Sequence, residues 1–330
     1  MNPTPISFWI GFNVFVVIML TIDLGVLNRR PHEISIKESL IWTGVCVAAA
    51  LTFNVIIYFW RGSSSALEFL TGYLIEYSLS MDNIFVFIMI FSYFHVPRRY
   101  QHRVLFFGIL GALIMRGIFI AAGVTLIKNL HWVIYVLGAF LVVTGIRMAI
   151  RAEAEIHPSR NPVLRLFRRF VPITHDYVKG KFFVRDAGSL LATPLFVVLL
   201  VVETTDVMFA VDSIPAILAI TLDPFIVYTS NVFAIIGLRA LFFALSGIMG
   251  MFHFLHYGLS AILVFVGIKM LVADLYEIPI VAALGVVAAF LVISIVASII
   301  WPAGKGEVLK LPDESVEEAH PSNLHQDEPD

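Results

Sequence analysis

The sequence contains few charged residues and a single cysteine, and each shortage excludes a class of protein. Only 14% of its 330 residues are charged, whereas 59% are hydrophobic, and the polar residues lie between long apolar runs. This composition excludes a water-soluble domain. Cys46 is the only cysteine of the chain, so an internal disulfide and a metal site built from several thiolates are also excluded.

Apolar runs long enough to cross a bilayer as helices, about 20 residues each, occur nine times. Because hydrocarbon offers the backbone no hydrogen-bond partners, single segments of this length cross a membrane as helices. The sequence therefore predicts an all-α membrane protein with about nine transmembrane helices, and residues 1–302 are predicted to form one polytopic domain. The runs lie near residues 6–27, 38–59, 66–92, 102–127, 131–150, 190–219, 224–250, 254–273 and 279–301.

Basic residues mark the segments that we expect on the cytoplasmic side of the membrane. Residues 151–189 carry eight lysines and arginines against four acidic residues. Cytoplasmic loops carry an excess of basic residues, so 151–189 is predicted to be a cytoplasmic loop, with the N terminus outside and the C terminus inside. This bias explains the positive charge without nucleic-acid binding. The acidic residues 303–330, which have no apolar period, predict a disordered cytoplasmic tail.

The chain also contains a duplicated unit of three apolar runs. Three segments of one half resemble three segments of the other at offsets of 122 to 124 residues. Because each copy has an odd number of crossings, the second copy enters the membrane from the opposite side, the inverted repeat typical of secondary transporters. Repeat A is predicted at 66–150 and repeat B at 190–273. The matched segments are DNIFVF and DVMFAV beginning at Asp82 and Asp206, MRGIFIAAG and LRALFFALSG containing Arg116 and Arg239, and YVLGAFLVVTGIRM and YGLSAILVFVGIKM at 135–148 and 257–270.

Five carboxylates interrupt the apolar runs of the two copies. A charge within hydrocarbon is costly unless it faces a cavity, a partner or an ion, so these acids are candidates for an ion site near the membrane midplane. The oxygen donors around them favour manganese, magnesium or calcium over copper or zinc, and the choice among the three stays open. The acids are Glu76, Asp82, Glu203, Asp206 and Asp212, and their polar neighbours are Ser78, Ser80, Asn83, Thr204, Thr205 and Ser213.

The direction of the two acidic helices predicts how the acids are arranged. If the helices run antiparallel, Asp82 and Asp206 face each other at mid-depth. Glu76 and Asp212 then form a second level about 9 Å nearer the outside. Pro215 is expected to interrupt its helix, because the proline ring cannot donate a hydrogen bond four residues back.

Two arginines inside the apolar runs, Arg116 and Arg239, are expected to be the charge partners of these acids in the metal-free state. Five carboxylates and two arginines leave negative charge that a divalent cation only partly neutralises. Protons on desolvated carboxyl groups are candidates for the remainder, which would couple metal movement to proton movement in the opposite direction.

The same residues also allow a structural or an enzymatic interpretation. The acids could instead form a polar network that fixes helix register without transport. Asp23 could be an interfacial anchor or part of an exit path. The chain has neither the HExxH motif of membrane metalloproteases nor a GxGD motif, so no enzyme activity is expected.

Three long motifs resemble the TerC family of integral membrane proteins, and within it the Alx-like membrane proteins of bacteria. The motifs are EYSLSMDN at 76–83, ETTDVMFAVDSIPA at 203–216 and DPFIVYTSNVFAIIGLRA at 223–240. The resemblance implies a bacterial inner-membrane protein linked to manganese export and to alkaline-pH or metal stress. The family name records an association with tellurium resistance. The family's acidic positions correspond to Glu76, Asp82, Glu203, Asp206 and Asp212 of this sequence.

The sequence therefore predicts one of two functions. The first is an exporter of a divalent cation, manganese before calcium or magnesium, with no permanently bound cofactor, in contact with the lipid bilayer and with protons as candidate counter-ions. The second is a membrane scaffold of a stress response that recruits partners through residues 151–189 and the tail without transport of its own. The sequence leaves the protein partners, the counter-ion and the oligomeric state open.

Overall fold

The computed structural model describes most of the apolar part of the chain, and within that part it contains nine helices and two short strands. The described residues are 4–25, 36–130, 132–150, 171–174, 176–178, 180–186, 189–245, 254–276 and 278–301. The elements are α1 (Ile6–Gly25), α2 (Ile36–Arg61), α3 (Ser63–Tyr93), α4 (Arg98–Asn129), α5 (Val133–Ile150), β1 (Phe183–Asp186), β2 (Ser189–Ala192), α6 (Pro194–Leu218), α7 (Pro224–Leu245), α8 (Leu255–Leu271) and α9 (Ile280–Ile300).

Several sequence predictions fall on residues for which nothing structural is stated. Most of the predicted loop 151–189 and the whole predicted tail 303–330 lie outside the described residues. The side chains of Asp23 and Asp82 also lie outside the description. The predictions for these parts of the chain therefore stay predictions.

The all-α membrane architecture predicted from the apolar runs is confirmed. Each of the nine runs overlaps one described helix. Seven of the described helices are long and apolar enough to cross a membrane, and the apolar stretches Ile6–Ile22 and Leu255–Leu271 are shorter. Exposed apolar side chains cover the outward faces of the peripheral helices, including Ile41 and Phe59 of α2. Lipid, not water, is the solvent that suits such a surface.

The predicted start of the sixth run is wrong by four residues. Ser189–Ala192 forms strand β2, which pairs antiparallel with β1, and α6 begins only at Pro194. Proline fits the first turn of a helix, where its missing N–H is not needed. The Thr193 hydroxyl donates to the Lys181 carbonyl at 2.6 Å and ties the chain to the hairpin just before the helix. A short apolar run does not distinguish a strand from a helix by periodicity, which explains the error.

The end of α2 is joined to α3 by a single glycine and to the start of α7 by an ion pair. Gly62 alone separates α2 from α3, and its φ of 89° lies in the left-handed region that glycine adopts without strain. Arg61, the last residue of α2, forms an ion pair of 2.6 Å with Asp223. Asp223 also accepts from the backbone N–H of Phe225 at 2.9 Å, and so caps α7 ahead of Pro224. Asp223 therefore both caps α7 and binds the last residue of α2.

Helix α7 is the centre of the bundle. In its most apolar 18-residue window 94% of the residues are buried, compared with 17% for α2 and for α9. Helices α2, α3 and α4 pack along α7, and α1 also contacts it. The centre of the protein is therefore a helix of predicted repeat B enclosed largely by helices that precede it in the chain.

The main contacts between the predicted repeats are the same when the two copies are interchanged. The first helix of repeat A, α3, packs against the second helix of repeat B, α7. The second helix of repeat A, α4, packs against the first helix of repeat B, α6. The third helices, α5 and α8, pack against each other. A two-fold relation between the copies would produce this exchange, although the inverted repeat itself stays a prediction.

Glycines allow α5 and α8 to approach at backbone distance. A Cβ at Gly138 would lie 3.0 Å from the Gly267 carbonyl oxygen, and one at Gly145 would lie 2.8 Å from the Ser260 carbonyl oxygen. The early part of α5 therefore meets the late part of α8, so the two helices are antiparallel. Small residues permit such close packing between membrane helices. At the offset of 122 residues Gly138 corresponds to Ser260 and Gly145 to Gly267, so the two contacts are equivalent with the copies exchanged.

Candidate ion site

A single guanidinium group at the centre of the bundle joins three helices. Arg116 of α4 is only 2% exposed. Its Nη1 donates to Glu76 Oε1 of α3, and its Nη2 donates to Asp206 Oδ1 of α6 at 3.4 Å. Nη1 also lies 3.3 Å from the hydroxyl of Ser213, which is about two turns beyond Asp206 and so on the same helix face. Arg116 therefore joins helices of both predicted repeats through charged hydrogen bonds.

Asn231 of α7 completes this network, and the sequence reasoning did not select it. The side chain is fully buried, its Nδ2 donates to Glu76 Oε2 at 3.1 Å, and its Oδ1 accepts from Arg116 Nη1 at 3.3 Å. The signal was present, because the Ser-Asn pair at 230–231 interrupts an apolar run. Polar residues inside a membrane helix require partners, which is the argument that had already selected the acids.

The charges of the network are only partly compensated. One guanidinium faces the two buried carboxylates of Glu76 and Asp206. Both oxygens of Glu76 have hydrogen-bond partners, whereas Asp206 Oδ2 is buried and has none. Asp206 and Arg239 line a small cavity with about 10 Å³ of space open to a water-sized sphere. The site therefore retains an acceptor oxygen without a donor, and its residue borders a space large enough for about one water molecule.

The other two described acids face different parts of the bundle. Asp212 makes a side-chain hydrogen bond with Thr144 of α5. The Glu203 carboxylate lies against Gly111 of α4, in the space that a Cβ at that position would fill. Glu203 and Asp206 interact electrostatically, as their spacing of three residues on one helix suggests. The five predicted acids are therefore spread along α3 and α6.

The predicted arrangement in two levels is tested only in part, because the Asp82 side chain lies outside the described residues. Through Arg116, Glu76 meets both Asp206 and Ser213, the neighbour of Asp212, while Asp212 itself interacts with Thr144. Helix α6 also continues through Pro215 to Leu218, so the predicted interruption is absent from this described helix. Asp206 and Asp212 accordingly lie on different faces, as an uninterrupted helix requires.

The predicted neutral oxygen donors divide into two groups. The hydroxyls of Ser78, Thr204 and Thr205 donate to backbone carbonyls of their own helices. Ser213 contacts Arg116, and the Ser80 hydroxyl is buried without a hydrogen-bond partner. Asn83 is buried with 4% exposure. Of the hydroxyls, Ser80 and Ser213 are therefore the ones available to a ligand.

A metal bound at this site would depend on neutral oxygens as well as carboxylates. No group of three or more His, Cys, Asp or Glu side chains suited to a metal occurs among the described residues, which exclude the Asp82 side chain. The oxygens that converge on Arg116 come from two carboxylates, one amide and one hydroxyl. Such an all-oxygen set is of the type that hard divalent cations prefer, and the predicted metal itself stays a prediction.

A second buried polar cluster, also missed by the sequence reasoning, lies where α6 ends. Glu68 of α3, 7% exposed, accepts from the Thr221 hydroxyl at 2.7 Å. Lys269 of α8 donates to the Ala219 carbonyl at 2.7 Å and interacts electrostatically with Glu68. Glu68 lies near the start of the third apolar run. A charged residue is common at such a position, so the sequence did not mark it as unusual. These contacts join the end of α6 to one helix of each predicted repeat.

Replacing Gly111 with alanine is expected to move the Glu203 carboxylate while leaving the fold intact. The new Cβ would occupy the position of this carboxylate, which is the far end of a flexible side chain and can rotate away. If Glu203 belongs to the ion path, transport should fall about tenfold, as for other changes that misplace a metal ligand. Gly117→Ala on the same helix is the matched control, because its Cβ would make only ordinary contact with Tyr228 at 3.6 Å. Equal transport by both variants would remove Glu203 from the path.

The fold and the buried network define a multi-pass membrane protein with a partly compensated acidic site in its core. The chain belongs to the Integral membrane protein TerC family, which matches residues 61–305. This confirms the family to which the three long motifs pointed.

Similar proteins extend over nearly the whole chain. An uncharacterized membrane protein of Myxococcus xanthus, STKORF319, is 50% identical over 88% of this chain and 92% of its own length. Alx of Escherichia coli strain K12, a proposed membrane-bound redox modulator, is 48% identical over 87% of this chain and 92% of its own length. An uncharacterized membrane protein of Rickettsia bellii is 39% identical over 88% of this chain and 97% of its own. No solved structure matches the chain.

Proposed function

We propose that this protein exports a divalent cation, manganese before calcium or magnesium, across the bacterial inner membrane. The observation that carries the proposal is the buried network of Glu76, Arg116 and Asp206, in which Asp206 Oδ2 has no hydrogen-bond partner. Buried ionisable groups in membrane helices mark ion paths more often than structural supports. The N terminus is placed outside and the C terminus in the cytoplasm, on the basic residues of 151–189.

The packing of the predicted repeats supports a transporter. The first helix of each repeat lies against the second helix of the other, and the charged site lies where these pairs meet. Transporters with inverted repeats bind their ions at this kind of interface and expose the site to each side by rocking one repeat against the other. Proton counter-transport would supply the charge that one divalent cation does not neutralise, and it is part of the proposal.

The name of the Escherichia coli relative suggests a redox role, but this chain has few residues that could carry out thiol redox chemistry. Cys46 is its only cysteine and is 3% exposed, so the chain has no dithiol that could form an internal disulfide. An effect on cellular redox state would then follow from the metal content of the cell. The proposal therefore treats redox and stress effects as consequences of transport.

Manganese uptake into inside-out vesicles tests the proposal, because export from the cell corresponds to uptake in that orientation. Vesicles with the full chain should take up manganese in a saturable manner, and the rate should change when a pH gradient is imposed. A chain that ends at residue 302 should transport equally well, because the residues of the proposed site belong to α3, α4, α6 and α7. Loss of the cellular stress phenotype with normal uptake by the shortened chain would favour the scaffold function.

A further inference from the structure

The guanidinium of Arg116 sits in a set of oxygens that resembles a cation site. Its Nη1 contacts Glu76 Oε1, the Ser213 hydroxyl and Asn231 Oδ1, and its Nη2 contacts Asp206 Oδ1. The four residues come from α3, α6 and α7, and each is at most 4% exposed. The guanidinium is thus surrounded by two carboxylates, an amide oxygen and a hydroxyl, the ligand types of a hard divalent cation.

Two further observations indicate that the set is open to a different occupant. Asp206 Oδ2 is buried without a hydrogen-bond partner, and the Asp206 residue lines a small cavity together with Arg239. Arg116 Nε is also buried without a partner, so the guanidinium is held only through its two terminal nitrogens. A carboxylate oxygen without a donor is costly in a buried site. A divalent cation would satisfy this oxygen, which the guanidinium leaves unused.

We propose that Arg116 is a tethered cation that occupies the metal position in the metal-free protein, and that metal binding displaces it. Glu76, Asp206, Ser213 and Asn231 then supply the metal ligands, and Asn231 holds Arg116 and Glu76 in place when the metal is absent. The inference rests on the proposed function, because it takes this site to be the divalent-cation site. It adds a neutral ligand, Asn231, and a competitor of the metal within the same chain.

Electrostatics makes the two occupants mutually exclusive. The guanidinium places one positive charge between the carboxylates of Glu76 and Asp206, whereas a divalent cation in its place supplies two. The two cations held together between the same carboxylates would repel each other strongly in a medium of low dielectric constant. Arg116 therefore competes with the metal and weakens its binding. In the metal-free protein it compensates the charge of the carboxylates, which lowers the cost of moving the empty site between its two orientations.

Opposite changes in manganese affinity at Arg116 and Asn231 test the inference. Affinity is measured on the full chain in lipid nanodiscs from the loss of the electron paramagnetic resonance signal of free manganese. Arg116→Gln removes the competing cation and should tighten binding at least about tenfold. Asn231→Leu removes an oxygen at nearly constant volume and should weaken binding about 10- to 100-fold. Arg61→Gln, which alters an ion pair with Asp223 outside the set, should leave the affinity unchanged.

Each outcome has a defined meaning. Unchanged or weaker binding by folded Arg116→Gln would overturn the inference, as would unchanged binding by Asn231→Leu. If Arg116→Gln does not fold, Arg116→Lys takes its place. A single ammonium cannot bridge both carboxylates, so lysine should give an affinity above that of the wild type, and equal or lower affinity would overturn the inference. If the wild type transports manganese but these variants do not bind it more tightly, only this inference is overturned. If the wild type neither binds nor transports manganese, the proposed function is overturned.

Discussion

Replacing Asp206 with asparagine is expected to abolish manganese export without removing the protein from the membrane. Asparagine has nearly the same shape, so Arg116 keeps its bond to Glu76 and the packing of α6 is retained. The variant loses the carboxylate whose second oxygen is buried without a partner, and with it half of the described negative charge around Arg116. Loss of such a ligand should lower the export rate at least about 100-fold.

The measurement for this prediction is the release of radioactive manganese from loaded cells that have no other manganese exporter. Asp223→Asn is the matched control, because it makes the same chemical change at an acid outside the site, and asparagine can still cap α7. The control should export manganese at the wild-type rate. Normal release by Asp206→Asn, at equal amounts of protein in the membrane, would show that Asp206 is not a ligand of the transported ion.

Replacing Gly267 with leucine is expected to prevent most of the protein from reaching its folded state. A Cβ at this position would lie 2.7 Å from the Gly138 carbonyl oxygen and 2.9 Å from the Val142 nitrogen, and backbone atoms cannot rotate away as a side chain can. The two helices would have to separate along their whole contact. Overpacking a tight interface by one methyl group already costs about 1–3 kcal/mol, and leucine adds three more carbons.

Size-exclusion chromatography of the fluorescently tagged protein and its thermal unfolding in detergent measure this effect. Gly285→Leu in α9 is the control, because a Cβ at that position would meet no atom within 4 Å. The control should elute as a single peak and keep its unfolding temperature. Similar stability of the two variants would contradict the close approach of α5 and α8.

The helices and the acidic residues could be predicted from the sequence because hydrocarbon imposes strict rules on both. A run of about 20 apolar residues has few alternatives to a helix in a membrane. An acid within such a run is conspicuous for the same reason, which is how Glu76, Asp206 and Arg116 were found. The location of β2 was missed because Ser189–Ala192 reads as the start of an apolar run, and only the position of Pro194 marks the true helix start.

The partners of the acids could not be predicted, because they depend on helix register. The alignment of Asp82 with Asp206 predicts equivalent positions in two copies, but it does not predict which side chains those positions meet. In the structure Asp206 meets the Arg116 and Glu76 pair, and the Asp82 side chain lies outside the described residues. Asn231 was missed because it has no equivalent in repeat A and carries no charge. Its role follows only from the packing of α7 between α3 and α4.

Manganese flux into proteoliposomes that contain only the purified full chain tests the central claim most directly, because no other protein can then carry the ion. The account predicts saturable uptake that is lost in Asp206→Asn and retained in Asp223→Asn. Excess calcium or magnesium should compete less effectively than unlabelled manganese. Absence of flux from folded protein, with and without a pH gradient, would contradict the account and leave the buried charges as a structural network.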